Sequence, residues 1–381
     1  LTFGVTTLLV WIGYYLTLAP DLGLEDSGEL AVGSYYAGIP HPPGYPVWTI
    51  YTWLWSVLLP FKNIAWRVAL GEATAAAVAC GLLGLLVSRG SSMMIEGIAE
   101  LKNIDRRWEN AICVVSGFVA AMLLGFNGYM WSQSVIVEVY SFGVLSLMGV
   151  MLGLLRWTYA PNQYRYLYLA FFMHGICFNN HQSLLVVALG MEAMILVVQP
   201  KLAREIFFWN VVCFVGGLVM NFSVLTGNLP VLVIYWIIGI SSAAIWIWQV
   251  IVTKKKAIEF ARDLAMVCAI GYVLLMICAI TSYVTVFEDS KGGLFLVNVV
   301  GLGAIGAFIH LIRKTKSLSK EWLATLACGG SWIVGTACYL YMPLAGMTNP
   351  PMQWGYPRTV EGFFHAFTRG QYEKIHPTSG T

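Results

Sequence analysis

The chain has 381 residues, 58% of them hydrophobic and only 11% charged, with a mean hydropathy of +0.72, far outside the range of soluble globular domains. It reads as a multi-spanning membrane protein. A net charge of +3 with scattered Lys and Arg offers no basic face for nucleic acid, and the eight cysteines lie in apolar runs without C-x-x-C spacing, which excludes a disulfide framework or a zinc site and leaves small hydrophobes.

Leu1 to Ala19 lacks the basic n-region and cleavage site of a signal peptide, so it is read as a first span. Apolar runs long enough to cross as helices follow at 68–88, 110–130, 141–157, 166–179, 182–199, 206–225, 230–252, 264–285, 294–312 and 321–342, which makes about eleven in all. Residues 1–381 are expected to be a single transmembrane domain. Residues 20–67 would be its first external loop and 343–381 an external C-terminal segment.

Between the first two spans lies Glu25 to Pro46, E-D-S-G-E-L-A-V-G-S-Y-Y-A-G-I-P-H-P-P-G-Y-P. Asp26 followed three residues later by Glu29 has the form of a capping box opening a short helix, which leaves Asp26 open between a cap and a chemical role. His41-Pro42-Pro43-Gly44-Tyr45-Pro46 would stop that helix and turn the chain at Gly44 into the next apolar segment. That segment, Tyr45 to Phe61, is rich in Trp and Tyr, which favour the interface.

The connections 89–109, 156–165, 199–205, 253–263 and 313–320 hold four, two, two, four and four basic residues, sixteen of the 22 Lys and Arg. They fall on one side, which is then cytoplasmic, if the eleven helices alternate. With Tyr45 to Phe61 lying flat, the N-terminus is cytoplasmic and the Asp26 loop external. That face then gathers the elbow, Trp131-Ser132-Gln133 with Glu138, Asn179-Asn180-His181, Glu288-Asp289 with Lys291, and Asn349 to Gly355. Ionisable groups grouped at a membrane surface mark a cleft. Glu72 and Glu192, within spans, read as packing residues.

A carboxylate in such a cleft can take a hydroxyl proton, while a phosphate would need cations. Arg67, His41, His181 and Arg358 are the candidates, with Lys62 and Lys291 nearby in the predicted topology. His41 serves equally well as a partner of its own turn, and His181 as a polar cap. Walker-type loops, H-E-x-x-H, G-x-S-x-G and G-x-G-x-x-G are absent, and neither metal nor cofactor is expected. Sugar or phosphoryl transfer from a lipid carrier remains.

The strings D-S-G-E (26–29), H-P-P-G-Y-P (41–46), W-S-Q-S-V-I-V-E-V-Y (131–140), N-N-H-Q (179–182), Y-L-Y-M-P-L (339–344), N-P-P-M-Q-W-G (349–355) and R-G-Q-Y (369–372) resemble a membrane family grouped under a domain of unknown function. That family is common in bacteria and contains a eukaryotic endoplasmic-reticulum protein O-mannosyltransferase. The resemblance implies an all-α polytopic protein of the C-type glycosyltransferase fold, with juxtamembrane helices in its first external loop. It implies an inverting enzyme that moves mannose or a similar hexose from a polyprenyl-phosphate donor to a protein Ser/Thr or glycan hydroxyl. Asp26 would be the base, Glu29 and Glu138 further acids of the site, and the bacterial cytoplasmic membrane the location, with the active face external. Relatives often continue beyond Gln371-Tyr372, where this chain soon stops. The rival expectation is a non-catalytic subunit of a larger membrane complex, or a lipid or solute transporter.

Overall fold

The computed structural model describes residues 1–220, 229–280, 290–316 and 318–370. Glu288-Asp289 and Gln371-Tyr372 lie outside the described residues. Within them the chain is all-α, with helices α1 (Thr2–Leu16), α2 (Ser27–Tyr35), α3 (Pro46–Leu58), α4 (Ile64–Gly97), α5 (Arg106–Gly125), α6 (Gly128–Ser134), α7 (Tyr140–Tyr159) and α8 (Tyr164–Asn180). A 3-10 turn at Gln182–Val186 leads to α9 (Val187–Val198), α10 (Pro200–Met220), α11 (Leu229–Val252), α12 (Ala257–Ile280), α13 (Lys291–Thr315), α14 (Lys320–Thr336), α15 (Tyr341–Met347) and α16 (Val360–Phe367).

Seven helices among the described residues are long and apolar enough to cross a membrane: Ile64–Gly97, Arg106–Gly125, Tyr140–Tyr159, Leu232–Val252, Ala257–Ile280, Lys291–Thr315 and Lys320–Met347. The chain is therefore an all-α polytopic membrane protein. The runs expected at 1–19 and 166–179 form helices of 15 and 17 residues, which rise about 22–26 Å against a hydrocarbon core of about 30 Å. Helix α3, at 13 residues, rises only about 20 Å, which agrees with a helix that does not span.

The chain forms two compact units, residues 1–194 with 327–381, and 195–326. In the first, α4 turns a face of Ala73, Ala76, Ala77 and Cys80 toward Val10 and Tyr14 of α1, small side chains that let backbones approach. The Tyr14 hydroxyl, buried there, donates to the Gly125 carbonyl at 2.6 Å, since a buried hydroxyl without a partner would cost stability. Leu30 of α2 and Trp48 of α3 pack with Val68, Ala69, Val137 and Val139, which seats the first loop on α4 and on the segment before α7.

In the second unit, Phe208, Met266, Val267 and Trp322 form the apolar core. A buried chain of charges runs through it. Glu205 pairs with Arg204 and with Lys255 at 2.6 Å, and Asp263 with Lys255 at 2.7 Å and Arg262 at 2.8 Å. Removing these ions from water is tolerable because each has an opposite partner within contact.

Candidate functional site

The elbow is built by backbone turns. Gly44 has φ +87° and Tyr45 φ 41°, and Pro46 then opens α3 at its first turn, where its missing N–H costs nothing. The distant motif N-P-P-M-Q-W-G docks against this elbow. The Ile39 N–H donates to the Met352 carbonyl at 2.9 Å and the Trp354 N–H to the Ile39 carbonyl at 3.1 Å. The approach needs Gly38, where a Cβ would meet the Met352 oxygen at 2.5 Å. From Y-L-Y-M-P-L, the Tyr341 hydroxyl donates to the Ala37 carbonyl at 2.5 Å. Two neighbouring motifs near the C-terminal end of the chain thus meet the elbow, some 300 residues earlier in sequence, through two main-chain hydrogen bonds and one from a tyrosine hydroxyl.

The capping box does not form. Asp26 occupies the position before α2, but its side chain caps no N–H (φ −86°, ψ 10°), and Glu29 turns to the elbow instead. The His41 backbone N–H donates to Glu29 Oε1 at 2.5 Å, and His41 Nδ1 lies 3.2 Å from the same oxygen. On the other edge of the ring, Nε2 pairs with the Tyr45 hydroxyl at 3.0 Å and lies 3.9 Å from Asp26 Oδ2. The bond to Glu29 outweighs burial and raises the imidazole pKa above its ordinary value, with the charges of Glu29, Asp26 and Glu138 adding to it. The Asp26 side chain is 57% exposed and that of Glu29 19%. One ligand atom each from Asp26, Glu29 and His41 falls within 4.8 Å of the others, so these are the residues that could hold a divalent ion. An open groove of about 660 Å³, lined by Gly28, Glu29, Val32 and the 351–356 segment, runs beside them.

Glu138 comes to the same place from the turn before α7. It is 4% exposed, and its Oε2 accepts from the Val139 N–H at 3.0 Å. Burial, only partly offset by that N–H and reinforced by Glu25 and Asp26, pushes its carboxyl up to about 7. Beneath it, the Trp48 indole N–H donates to Glu72 Oε1 at 2.7 Å and lies 3.2 Å from the Glu138 carbonyl. Glu72, expected only to pack, is therefore tied to the site floor.

His181 ends α8. It caps no helix through its side chain; its Nδ1 pairs with the Ser183 hydroxyl at 2.5 Å, and its ring lies 6.0 Å from that of Tyr140. Burial first, then the charge of Arg369, holds its pKa below the usual value. Tyr140 stands between opposite charges, within electrostatic reach of Glu138, Glu25 and Asp26 and also of Arg369. The neighbouring Gln182 amide donates to the Phe367 carbonyl at 2.8 Å and so fixes the segment that carries Arg369.

The two arginines singled out from the sequence have other work. Arg67 donates to the carbonyls of Phe61, Ser56 and Lys62 at 2.9, 2.8 and 2.9 Å and ties off the end of α3. Arg358 donates to Asn349 Oδ1 at 2.5 Å and lies over the Tyr356 ring at 5.7 Å, bracing the docked 349–356 turn. Sequence reasoning missed Glu25 and Arg369 as members of this group. The R-G-Q-Y string, one of the motifs that carry the family resemblance, was the signal for Arg369.

Residues 26–206 match the family of the protein O-mannosyl-transferase TMEM260 N-terminal domain. The protein O-mannosyl-transferase TMEM260 of Mus musculus is 30% identical over 141 residues, which are 37% of this chain and 17% of the mouse protein. Its Dictyostelium discoideum counterpart is 23% identical over 191 residues, 46% of this chain and 21% of that protein. The matched stretches thus span about a fifth of the length of these curated relatives. No solved structure matches the chain. Asp26, Glu29, His41, Arg67, Glu138 and His181 all fall in the matched span, and the family that the sequence motifs resemble is that of the protein O-mannosyl-transferase TMEM260, through its N-terminal domain.

Proposed function

We propose that the chain is an inverting glycosyltransferase of the C-type fold that moves mannose or a similar hexose from a polyprenyl-phosphate donor to a protein or glycan hydroxyl. The observation that carries this reading is Asp26, a carboxylate left out of helix capping and exposed beside Glu29, His41 and Glu138. The names of the relatives favour mannose and a protein acceptor. The sixteen-to-six division of basic residues favours an external active face and a cytoplasmic N-terminus; a bacterial cytoplasmic membrane is the setting we favour.

In this mechanism the acceptor oxygen attacks the anomeric carbon while its proton passes to Asp26. The bond from that carbon to the phosphate oxygen breaks, the electron pair leaves on the polyprenyl phosphate, and the configuration inverts. Glu138, half protonated near neutral pH, donates a hydrogen bond to a sugar or acceptor hydroxyl. Protonated His41 and Arg369 balance the leaving phosphate, and no metal is required. The groove beside Glu29 receives the acceptor segment.

The test is transfer of labelled mannose from polyprenyl-phosphate mannose to a Ser/Thr peptide by the purified chain, with the anomer of the product determined. Transfer with inversion, lost in Asp26→Asn, is expected. A wild-type chain that binds donor but transfers nothing, in every membrane preparation where its relatives are active, would mark a binding subunit instead.

A further inference from the structure

A second site lies at the far end of α4 and α7. Leu85, Arg89 and Ser92 of α4 and Leu152, Leu155, Arg156 and Tyr159 of α7 line a cavity of about 620 Å³. From Glu72 to Arg89, and from Tyr140 to Arg156, is about 25 Å of helix, close to the thickness of a hydrocarbon core. The acids sit at one interface and these arginines at the other. The Tyr159 hydroxyl donates to the Arg89 carbonyl at 2.7 Å and fastens the two helices at this level.

Both guanidiniums are exposed, and among the described residues neither is ion-paired with a carboxylate. Arg156 lies over the Tyr166 ring at 5.0 Å, and Arg165 approaches the same ring at 4.9 Å. The acids within electrostatic reach of the corner are Glu96 and Glu109, and Glu109 already accepts from the Ser92 hydroxyl at 2.9 Å. Three arginines face two acids. The rim is cationic, and the wall of Leu85, Leu152 and Leu155 below it is hydrocarbon.

We infer that this groove holds one anionic glycerophospholipid from the leaflet opposite the acid site, with its phosphate between Arg89 and Arg156 and an acyl chain along the three leucines. Basic pockets between membrane helices select charged headgroups, and guanidinium forks match phosphate oxygens. A free phosphate would leave the leucine wall unused, and a zwitterionic lipid would not match the unpaired charge.

Native mass spectrometry of the detergent-solubilised full chain, titrated with phosphatidylglycerol, phosphatidylcholine or inorganic phosphate, tests this without reference to sugar transfer. One phosphatidylglycerol should bind about 10- to 30-fold more tightly than phosphatidylcholine, the scale of two cationic contacts. Arg89→Gln with Arg156→Gln should bring the two lipids level. Leu152→Trp, which fills the groove with both arginines in place, should lower phosphatidylglycerol binding as well, and serves alone if the double variant does not fold. Equal binding of the two lipids by the wild-type chain, unchanged binding in the variants that fold, or displacement of the lipid by millimolar inorganic phosphate overturns the inference.

Discussion

Glu29 receives the His41 backbone N–H at 2.5 Å and faces the ring Nδ1 at 3.2 Å, both through the single oxygen Oε1. One carboxylate thus closes the elbow and holds the imidazole toward its charged form. Because the folded His41 pKa is raised above 6.5, its contribution to stability is fully present below the unfolded value and is lost as pH rises through the folded one. Glu29→Ala should lower stability by about 1–3 kcal/mol, through an N–H left without a partner, with a larger loss at pH 6 than at pH 9. Thermal melts in detergent at the two pH values check this, and a loss that is equal at both would separate the ring from the carboxylate.

Asp26→Asn should reduce sugar transfer by ~10²-fold or more, the scale of general-base assistance, and leave the melting temperature unchanged. Because no capping bond is present, Asp26→Ala should also avoid the ~1 kcal/mol that losing an N-cap costs. Near wild-type transfer by Asp26→Asn would move the base to Glu138.

Glu138 is pushed up to about 7 from an ordinary value of 4.5. Between these values the unfolded chain ionises while the folded one resists, so stability declines as pH rises from about 4.5 to 7 and then levels off. Relative to wild type, Glu138→Gln should therefore gain stability across that window. Its transfer rate should also lose the inflection near pH 7 expected of the wild type. Parallel pH profiles of the two proteins, in melting and in rate, would expose a Glu138 that ionises normally.

Arg67→Ala should destabilise by about 1–3 kcal/mol, since three carbonyls lose a charged donor, while the KM for donor stays near wild type. Arg369→Gln should do the reverse and raise donor KM about tenfold or more, the scale of one lost charge-assisted contact to phosphate. A donor KM that rises in Arg67→Ala alone would restore Arg67 to the phosphate site.

Chelation by EDTA should leave transfer unchanged, because His41 supplies the positive charge beside Asp26 and Glu29. Loss of activity on chelation, restored by manganese or magnesium and absent in a His41→Gln background, would assign the three ligand atoms to a metal ion.

Composition and run length alone determined that this is an all-α membrane protein, because 58% apolar residues in long runs can satisfy their backbone in lipid only as helices or a closed barrel. The ring-rich stretch at 45–61 was ambiguous from its own residues, and only the distribution of Lys and Arg read it as a helix that does not span; the acids and prolines of 25–46 stood out as the centre of interest. Side-chain direction was not. The D-S-G-E string fits a capping box, yet Glu29 faces His41, twelve residues on, because the turn at Ala37 and Gly38 after α2 brings the chain back along the helix. Sequence shows the charges of Arg67 and Arg358 without showing the groups they meet, three main-chain carbonyls for Arg67 and Asn349 Oδ1 with the Tyr356 ring for Arg358. Arg369 reaches Tyr140 only through the docking of residues 337–370 on the elbow and on α8, and Glu25 reaches Glu138 only because the first loop seats on α4 and on the segment before α7. Contacts made across some 300 residues leave no local periodicity to read, so their partners are decided by tertiary packing.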